Sequence, residues 1–155
     1  MTIFQSEKQI VMNFYRRLDA APTDQIGTML QSTVRDDYLW CGFHPFNKIR
    51  GGEAVAACFW LPLKAALTSM QRRMDIFFAG INRLEDDNSV WVVSMGHLTG
   101  LFDQAWLGIQ PTGKMVMLRY CEFNRVADNK IIETAMYFDI PHLMMQAGLQ
   151  PFPTQ

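Results

Sequence analysis

Cysteine is scarce in this chain, which contains only Cys41, Cys58 and Cys121. An odd number of widely spaced cysteines excludes a disulfide framework, and no Cys-x-x-Cys pair indicates a zinc site. Thiol-based scaffolding is therefore not expected.

Histidine is equally sparse, and His44, His97 and His142 are scattered along the chain. They lack the His-x-x-His or Glu-x-x-His spacing of metal ligands. No glycine-rich phosphate loop is present, and no nucleophilic triad is visible. We therefore predict no metal and no other cofactor.

Excess charge and long apolar runs are also missing. The net charge is -1, whereas a nucleic-acid-binding protein normally carries a basic face. Charged residues such as Lys64 and Arg72 interrupt the apolar middle of the chain, so no stretch reaches membrane-spanning length. The first residues show no basic segment followed by an apolar one. We expect a cytoplasmic protein that binds neither nucleic acid nor membrane.

What the chain does contain is apolar material for a core. Its 155 residues fit one domain, residues 1–155, and 49% of them are hydrophobic. Eleven methionines and eleven phenylalanines suit either an ordinary core or the wall of a pocket for a bulky apolar ligand.

Periodicity predicts helices in the first half and strands in the second, which is the α+β pattern. Ser6 is a plausible N-cap for the first helix, and Pro62 is expected to kink the third. The predicted helices are the segments from Ser6 to about Ala21, from Thr23 or Asp24 to Leu30, 53–70 and 142–147. The predicted strands are a short one from Tyr38, then 73–79, 90–101, 115–126 and 130–138.

The last two strands form a predicted hairpin. Asp128-Asn129 suits a two-residue loop with φ > 0, which pairs Ala127 with Lys130. Strand alternation counted back from that pair places two carboxylates and two phenols on one face. This face consists of Leu118, Tyr120, Glu122, Ala135, Tyr137 and Asp139. The other face consists of Arg119, Cys121, Phe123, Met136 and Phe138.

Two roles are open for Asp139 on this reading. An apolar strand that ends on a carboxylate places it where desolvation favours proton transfer. Asp followed by Ile-Pro is also ordinary N-cap chemistry for the C-terminal helix. Three roles are open for Glu122: a partner acid, a hydrogen-bond acceptor that orients Tyr137, or a solvated strand residue.

Residues 97–148 resemble the SnoaL-like polyketide cyclases of the nuclear transport factor 2-like superfamily. The resemblance lies in an ordered set of motifs, not in any one of them. These are the turn Gly108-Ile-Gln-Pro-Thr-Gly-Lys114, then Arg125-Val126, Asp128, Lys130-Ile131, Glu133, Asp139 and Gln146-Ala147-Gly148.

The resemblance implies a cone, in which N-terminal helices pack into a strongly curved antiparallel sheet that encloses a cavity. It also implies a homodimer through the outer sheet face. The implied activity is cofactor-independent acid/base chemistry on a small apolar or aromatic carbonyl compound, such as intramolecular aldol cyclisation. Asp139 occupies the position of the family's general acid/base, with Glu122 as its partner.

Other pocket residues follow from the same resemblance. Tyr120, Tyr137 and Leu118 share the predicted pocket face, while Trp40 and Trp60 stand where family pockets have aromatic walls. His44 lies in the loop that covers the cavity mouth. His97 is one residue out of phase with the family histidine, whose position Leu98 occupies, although it can still reach the pocket.

Two other functions stay open. Epoxide hydrolysis needs two acids flanking an arginine, but our register puts Arg119 on the face opposite Asp139; a ketosteroid-type isomerase is a related possibility. A non-catalytic binding or dimerisation module is the third reading. It would place an outer-face stripe against a second subunit. This stripe consists of Met115, Met117, Arg119, Cys121 and Phe123.

Overall fold

The computed structural model describes residues 3–84 and 87–154. Its α-helices are α1 (Gln5–Ala20), α2 (Ile26–Thr33), α3 (Gly52–Val55), α4 (Leu61–Ala66) and α5 (Ile140–Gln146). Its strands are β1 (Val34–Gly42), β2 (Lys48–Arg50), β3 (Leu67–Ile81), β4 (Val90–Phe102), β5 (Met115–Ala127) and β6 (Lys130–Phe138). A 3₁₀ turn at Thr23–Gln25 precedes α2, and a π-helical turn at Ala56–Trp60 joins α3 to α4.

The six strands form one sheet in the order β2-β1-β6-β5-β4-β3, which curves without closing. All neighbouring strands are antiparallel except β1 and β6, which are parallel. The α+β class is therefore confirmed, but the expectation of a wholly antiparallel sheet is wrong at this pair. Parallel neighbours need a long crossover, and the chain between β1 and β6 supplies it.

The first helix forms as its periodicity predicts. Val11, Phe14, Tyr15 and Leu18 are buried on one side of α1, which packs against β3, β4 and β6. The predicted N-cap is wrong, because the helix begins before Ser6, whose hydroxyl donates to Glu7 instead.

The third predicted helix ends earlier than expected. Helical structure stops at Ala66, and residues 67–70 belong to β3, where Leu67 pairs with Phe102 of β4. Pro62 lacks an N–H and clashes with the preceding turn. The wider π-helical turn just before it accommodates this defect without breaking the helix.

The hairpin turn forms as predicted, but the register beyond it changes. Asp128 and Asn129 have φ of 52° and 59°, and Ala127 pairs with Lys130. Val126 then pairs with Ile131, whereas Arg125 pairs with Glu133. Ile132 is thus an extra residue in β6, a β-bulge that shifts every later residue of that strand to the opposite face.

Packing explains the bulge. Ile131 and its neighbour Ile132 are both buried. A regular strand would point one of them outward, so the bulge lets two consecutive isoleucines avoid solvent.

The inner face of the sheet is the one covered by the helices, and it carries the buried core. The outer face of β3 to β6 is exposed. It carries the whole predicted stripe of β5 from Met115 to Phe123. Among the described residues, no helix has the length and apolar character needed to cross a membrane.

Candidate functional site

Alternation along β5 turns Leu118, Tyr120 and Glu122 to the inner face, as predicted. The bulge in β6 reverses the rest of the assignment. Tyr137 and Asp139 lie on the outer face, while Met136 and Phe138 are buried on the inner one. The predicted grouping of Asp139 with Glu122 is therefore wrong, although the turn from which it was counted is right.

An arginine flanked by two acids lies on the inner face. Nη1 of Arg72 is 3.4 Å from Oε2 of Glu122, and its Nε is 3.3 Å from Oδ2 of Asp19. The Arg72 and Glu122 side chains are 3% and 1% exposed, whereas Asp19 is 27% exposed. Three distant segments, α1, β3 and β5, thus meet at one buried charge cluster.

Sequence reasoning missed Arg72 and Asp19. Arg72 was read only as an interruption of an apolar segment, and Asp19 was not singled out. A usable signal existed, since Asp19 follows the buried Tyr15 by four residues and so shares its helix face. The predicted strand also began at residue 73, so Arg72 was assigned to neither face of the sheet.

Two phenol rings enclose the guanidinium. The Cζ atom of Arg72 lies 4.0 Å from the ring centroid of Tyr15 and 5.1 Å from that of Tyr120. A cation over an aromatic face is stabilised by the ring quadrupole, the more so when water is excluded. The hydroxyl of Tyr120 is held by Ser94 at 2.6 Å.

Amide and hydroxyl groups complete the cluster. Nδ2 of Asn124 donates to Oε1 of Glu122 at 3.2 Å and to the hydroxyl of Tyr15 at 3.1 Å. The Thr134 hydroxyl donates to Oδ1 of Asn124 at 2.7 Å, and the Tyr38 hydroxyl donates to Thr134 at 2.6 Å. We call this set the inner polar cluster. Its members are Tyr15, Asp19, Tyr38, Arg72, Ser94, Tyr120, Glu122, Asn124 and Thr134.

Burial governs the protonation of these groups. Desolvation raises the pKa of Glu122, and the opposing effect of the Arg72 guanidinium and the Asn124 N–H offsets this only in part. Desolvation also opposes the charge of Arg72, yet Glu122 and Asp19 hold the pKa of Arg72 above its ordinary value. Burial raises the pKa of both Tyr15 and Tyr120. The cluster thus combines a fixed cation with a carboxyl group that accepts a proton readily.

Two polar atoms of the cluster have no hydrogen-bond partner among the residues that the structure describes. They are Oδ1 of Asp19 and Nη2 of Arg72. Buried polar atoms are normally paired. One acceptor and one donor therefore remain for a ligand or water at this end of the cluster.

An aromatic cluster adjoins the polar one. Phe138 lies directly across from Tyr120 in the sheet, and its ring is 5.7 Å from that of Phe59. Trp40 is buried here with its ring 4.6 Å from that of Phe59, and the ring of Trp60 is 4.9 Å from that of Phe59. The members of this aromatic cluster are Trp40, Phe43, Phe46, Phe59, Trp60, Trp106 and Phe138.

The loop between β1 and β2 closes the aromatic cluster. The rings of Phe43 and Phe46 are 5.4 Å apart and pack onto the buried rings beneath them. His44, predicted at a cavity mouth, is exposed in this loop. The predicted pocket position is thus occupied by the chain's own phenylalanines.

The remaining predicted residues lie together on the outer face. A hollow of about 540 Å³ is lined by residues that include His97, Arg119, Tyr137 and Asp139. Nδ1 of His97 is 3.7 Å from Oδ2 of Asp75. Nη1 of Arg119 is 3.6 Å from Oδ2 of Asp139, so the prediction that these two occupy opposite faces is wrong.

Asp139 also caps the C-terminal helix. Its Oδ1 accepts from the backbone N–H of His142 at 3.1 Å, which confirms the capping role. The side chain is 38% exposed, so the apolar burial expected for a base is absent. Within the described part of the chain, no group of His, Cys, Asp and Glu has the geometry of a metal site.

Comparison with known proteins agrees with this architecture. The model of the SnoaL-like polyketide cyclase family matches residues 63–147, more than half of the chain. The chain belongs to the SnoaL-like polyketide cyclase family. The match covers β3 to β6 and α5 and so includes Arg72, Glu122 and the helix cap Asp139, but not Asp19. No curated protein sequence matches the chain.

Solved structures of similar fold include several candidate cyclases. A candidate SnoaL-like polyketide cyclase from Jannaschia sp. CCS1 has 21% identity and a TM-score of 0.67, with 99% of each chain covered. IdmH, a candidate polyketide cyclase from Streptomyces antibioticus, has 14% identity and a TM-score of 0.68, with 94% of this chain and 99% of IdmH covered.

A third similar structure fixes the fold name. A Catenulispora acidiphila protein with a ketosteroid isomerase-like fold, solved with trimethylamine, has 13% identity and a TM-score of 0.65 over 100% of both chains. The predicted nuclear transport factor 2-like fold is thus confirmed. Identities this low establish the fold alone.

Proposed function

We propose that this SnoaL-like protein is a cofactor-independent acid/base enzyme acting on an apolar carbonyl compound, with Glu122 as the group that transfers the proton. The supporting observation is the environment of the Glu122 carboxyl group. The group is buried, its pKa is raised by desolvation, and it is paired with a permanently charged guanidinium. A carboxyl group with a raised pKa takes up a proton more readily than an exposed one, and it can return that proton within the same reaction.

The proposed reaction is an intramolecular aldol addition. Glu122 removes a proton from the carbon next to a carbonyl, and Arg72 and the Tyr120 hydroxyl stabilise the negative charge that develops on the oxygen. The enolate carbon then attacks a second carbonyl carbon of the same molecule. The resulting alkoxide takes the proton back from Glu122, so no proton or electron is gained or lost overall.

The aromatic cluster supplies the binding surface for the apolar body of the substrate. Phe138 lies beside Tyr120, so a ligand against Phe138 and Trp40 would extend toward Glu122. We place substrate access at the Phe43–Asn47 loop, which must move outward for a ligand to enter. His44 would then border the opening, and Leu118 and Trp60 would support the inner wall.

Asp139 remains a predicted catalytic residue on the strength of the family resemblance alone. It lies with Tyr137 and His97 in the outer hollow, which Tyr120 of the inner polar cluster also lines. If Asp139 and not Glu122 is the base, the reaction takes place in the outer hollow.

Deuterium exchange tests the assignment without knowledge of the natural substrate. Exchange of the α-protons of 2-tetralone in D₂O, followed by NMR, reports proton abstraction next to a carbonyl. We expect wild-type protein to accelerate exchange, Glu122→Gln to lose roughly 10²- to 10⁴-fold of the acceleration, and Asp139→Asn to retain it. The reverse pattern would move the base to Asp139. No acceleration with a panel of cyclic ketones would contradict the proposed chemistry.

Epoxide hydrolysis is the second candidate, because an arginine flanked by two acids is what this reaction needs. Arg72, not Arg119, is the arginine that meets this condition. One carboxylate would take a proton from water as the water oxygen attacks an epoxide carbon, and the other acid would protonate the opening oxygen.

Asp19→Asn distinguishes the two reactions. With styrene oxide in H₂¹⁸O, hydrolysis would incorporate one ¹⁸O into the diol and would need both acids. Aldol-type exchange would need Glu122 only. Loss of diol formation with retained α-proton exchange in Asp19→Asn would assign separate roles to the two acids.

We also propose a homodimer in the cytoplasm, formed through the outer sheet face. The supporting observation is the number of large apolar side chains exposed there, among them Phe78, Met95 and Tyr137. Light scattering at micromolar concentration tests this, and a strictly monomeric protein would contradict it. Native mass spectrometry that finds a retained apolar molecule, with no turnover, would favour a binding module over an enzyme.

A further inference from the structure

We infer that Thr134 and Tyr38 are positioning residues, which fix the Asn124 side-chain amide so that its N–H points at Oε1 of Glu122. The inference rests on the proposed function of Glu122 but goes beyond it, since it assigns a positioning role to residues that do not contact the substrate. The supporting observation is a chain of hydrogen bonds in which Tyr38 donates to Thr134 and Thr134 donates to Asn124.

The direction follows from counting hydrogens. A tyrosine or threonine hydroxyl has one hydrogen to donate. Tyr38 donates its hydrogen to Oγ1 of Thr134, and Thr134 donates its own to Oδ1 of Asn124. With Oδ1 thus accepting, the two hydrogens on Nδ2 are left for Tyr15 and Glu122.

The opposite orientation of the amide would be unfavourable. If the Asn124 amide rotated by 180°, its oxygen would face the Glu122 carboxyl, acceptor against acceptor. The Thr134 hydroxyl favours the observed orientation, because it donates to the amide oxygen of Asn124. Because Tyr38, Asn124 and Thr134 are all buried, water does not compete for these bonds.

Three strands contribute one link each, Tyr38 from β1, Asn124 from β5 and Thr134 from β6. The parallel pairing of β1 with β6 brings the first and last of these strands together. The bulge at Ile132 turns Thr134 inward; without it, Thr134 would point to the outer face. The hydrogen-bond chain therefore depends on the parallel pairing of β1 with β6 and on the bulge at Ile132, neither of which was predicted from the sequence.

The consequence concerns the proton equilibrium of Glu122. A hydrogen bond donated to a carboxylate favours its charged form. Losing the Asn124 N–H should therefore raise the pKa of Glu122 further. The other charged and titratable groups that interact with Glu122 are Arg72 of β3, Asp19 and Tyr15 of α1, Tyr38 of β1, and Tyr120 and Cys121 of β5. Thr134→Val removes the hydrogen bond of Tyr38 and leaves the other groups with their own contacts.

The test is Thr134→Val, which keeps the side-chain shape and removes the hydroxyl, with Thr134→Ser as the matched control that keeps it. ¹³C NMR of labelled Glu side chains, with Glu122→Gln to assign the signal, follows the titration of Glu122 directly. We expect the midpoint to rise by about one pH unit or more in Thr134→Val, as for loss of a hydrogen bond to a charged group, and to stay at the wild-type value in Thr134→Ser.

An unchanged midpoint in folded Thr134→Val would overturn the inference. If Thr134→Val does not fold, Tyr38→Phe replaces it, and a shift in the same direction is expected because Thr134 is then free to rotate. The titration needs no substrate. Should Glu122→Gln keep full exchange activity, the proposed function fails while this positioning role is still decided by NMR.

Discussion

Two arginine–carboxylate pairs lie on opposite faces of the same sheet, and their geometry is nearly the same. Arg72 and Glu122 on the inner face are 3.4 Å apart, and Arg119 and Asp139 on the outer face are 3.6 Å apart. The inner pair is almost fully buried, whereas the outer side chains are 56% and 38% exposed. Distance alone therefore says little about what an ion pair does.

Solvent makes the difference between the pairs. Water screens the outer charges, so each partner can be removed with little effect. The inner charges have only each other and their hydrogen bonds, so removing one leaves another uncompensated in a medium of low polarity. Burial therefore changes the proton affinity of the inner groups, while solvent screens the charges of the outer pair.

The largest expected effect is the loss of the inner cation. Arg72→Met would leave Glu122 and Asp19 without a positive partner, and we expect it to lower the free energy of unfolding by about 3–5 kcal/mol. The matched control, Arg119→Met, should cost about 1 kcal/mol or less. Urea unfolding measures both, and similar losses for the two variants would show that burial does not separate the pairs.

A charge introduced on the outer face should weaken the proposed dimer. Phe78→Glu places a carboxylate on the apolar outer surface, and we expect the dissociation constant of the proposed dimer to rise tenfold or more. Leu149→Glu, at an exposed apolar position outside the sheet, is the control. Sedimentation or light scattering over a concentration series gives the constants, and equal effects of the two changes would argue against this interface.

The pH dependence of stability tests the burial of the inner carboxyl group. Because the pKa of Glu122 is raised in the folded state, folding favours its protonated form. The stabilisation is present below the ordinary value of 4.5 and is lost as pH rises through the folded value. Relative to Glu122→Gln, the wild-type protein should therefore lose stability between pH 4.5 and neutral pH. A stability difference that stays constant over this range would contradict the raised pKa.

The smallest expected effect concerns the cap of α5. Asp139→Ala removes the bond to the His142 N–H and should cost about 1 kcal/mol. Asp139→Asn, which keeps a capping oxygen, should be close to neutral. Thermal melts measure both changes. A clear stabilisation by Asp139→Asn at neutral pH would instead indicate that the carboxylate is a strained, functional group.

Local chemistry made several features readable from sequence. Asp128-Asn129 takes positive φ because its own side chains tolerate that conformation. The first helix follows from the spacing of Val11, Phe14, Tyr15 and Leu18, and Asp139 caps α5 as Asp before Ile-Pro should. The order of motifs from Gly108 to Gly148 carried the resemblance to the family, and with it the fold.

The site could not be read in the same way. Ile131-Ile132 allows either register, because consecutive apolar residues carry no alternation from which to count. The tertiary structure buries both and inserts the bulge, which turns Thr134 inward and Tyr137 and Asp139 outward.

The sequence by itself determined the first helix, the hairpin turn, the cap and the inward position of Glu122, since each depends on interactions between near neighbours in the chain. Tertiary structure decided that Arg72 and Asp19 meet Glu122, that β1 pairs with β6, and that His97 and Asp139 share the outer hollow. These contacts join residues tens of positions apart. Their formation depends on strand register and burial, which are set by how the whole core packs.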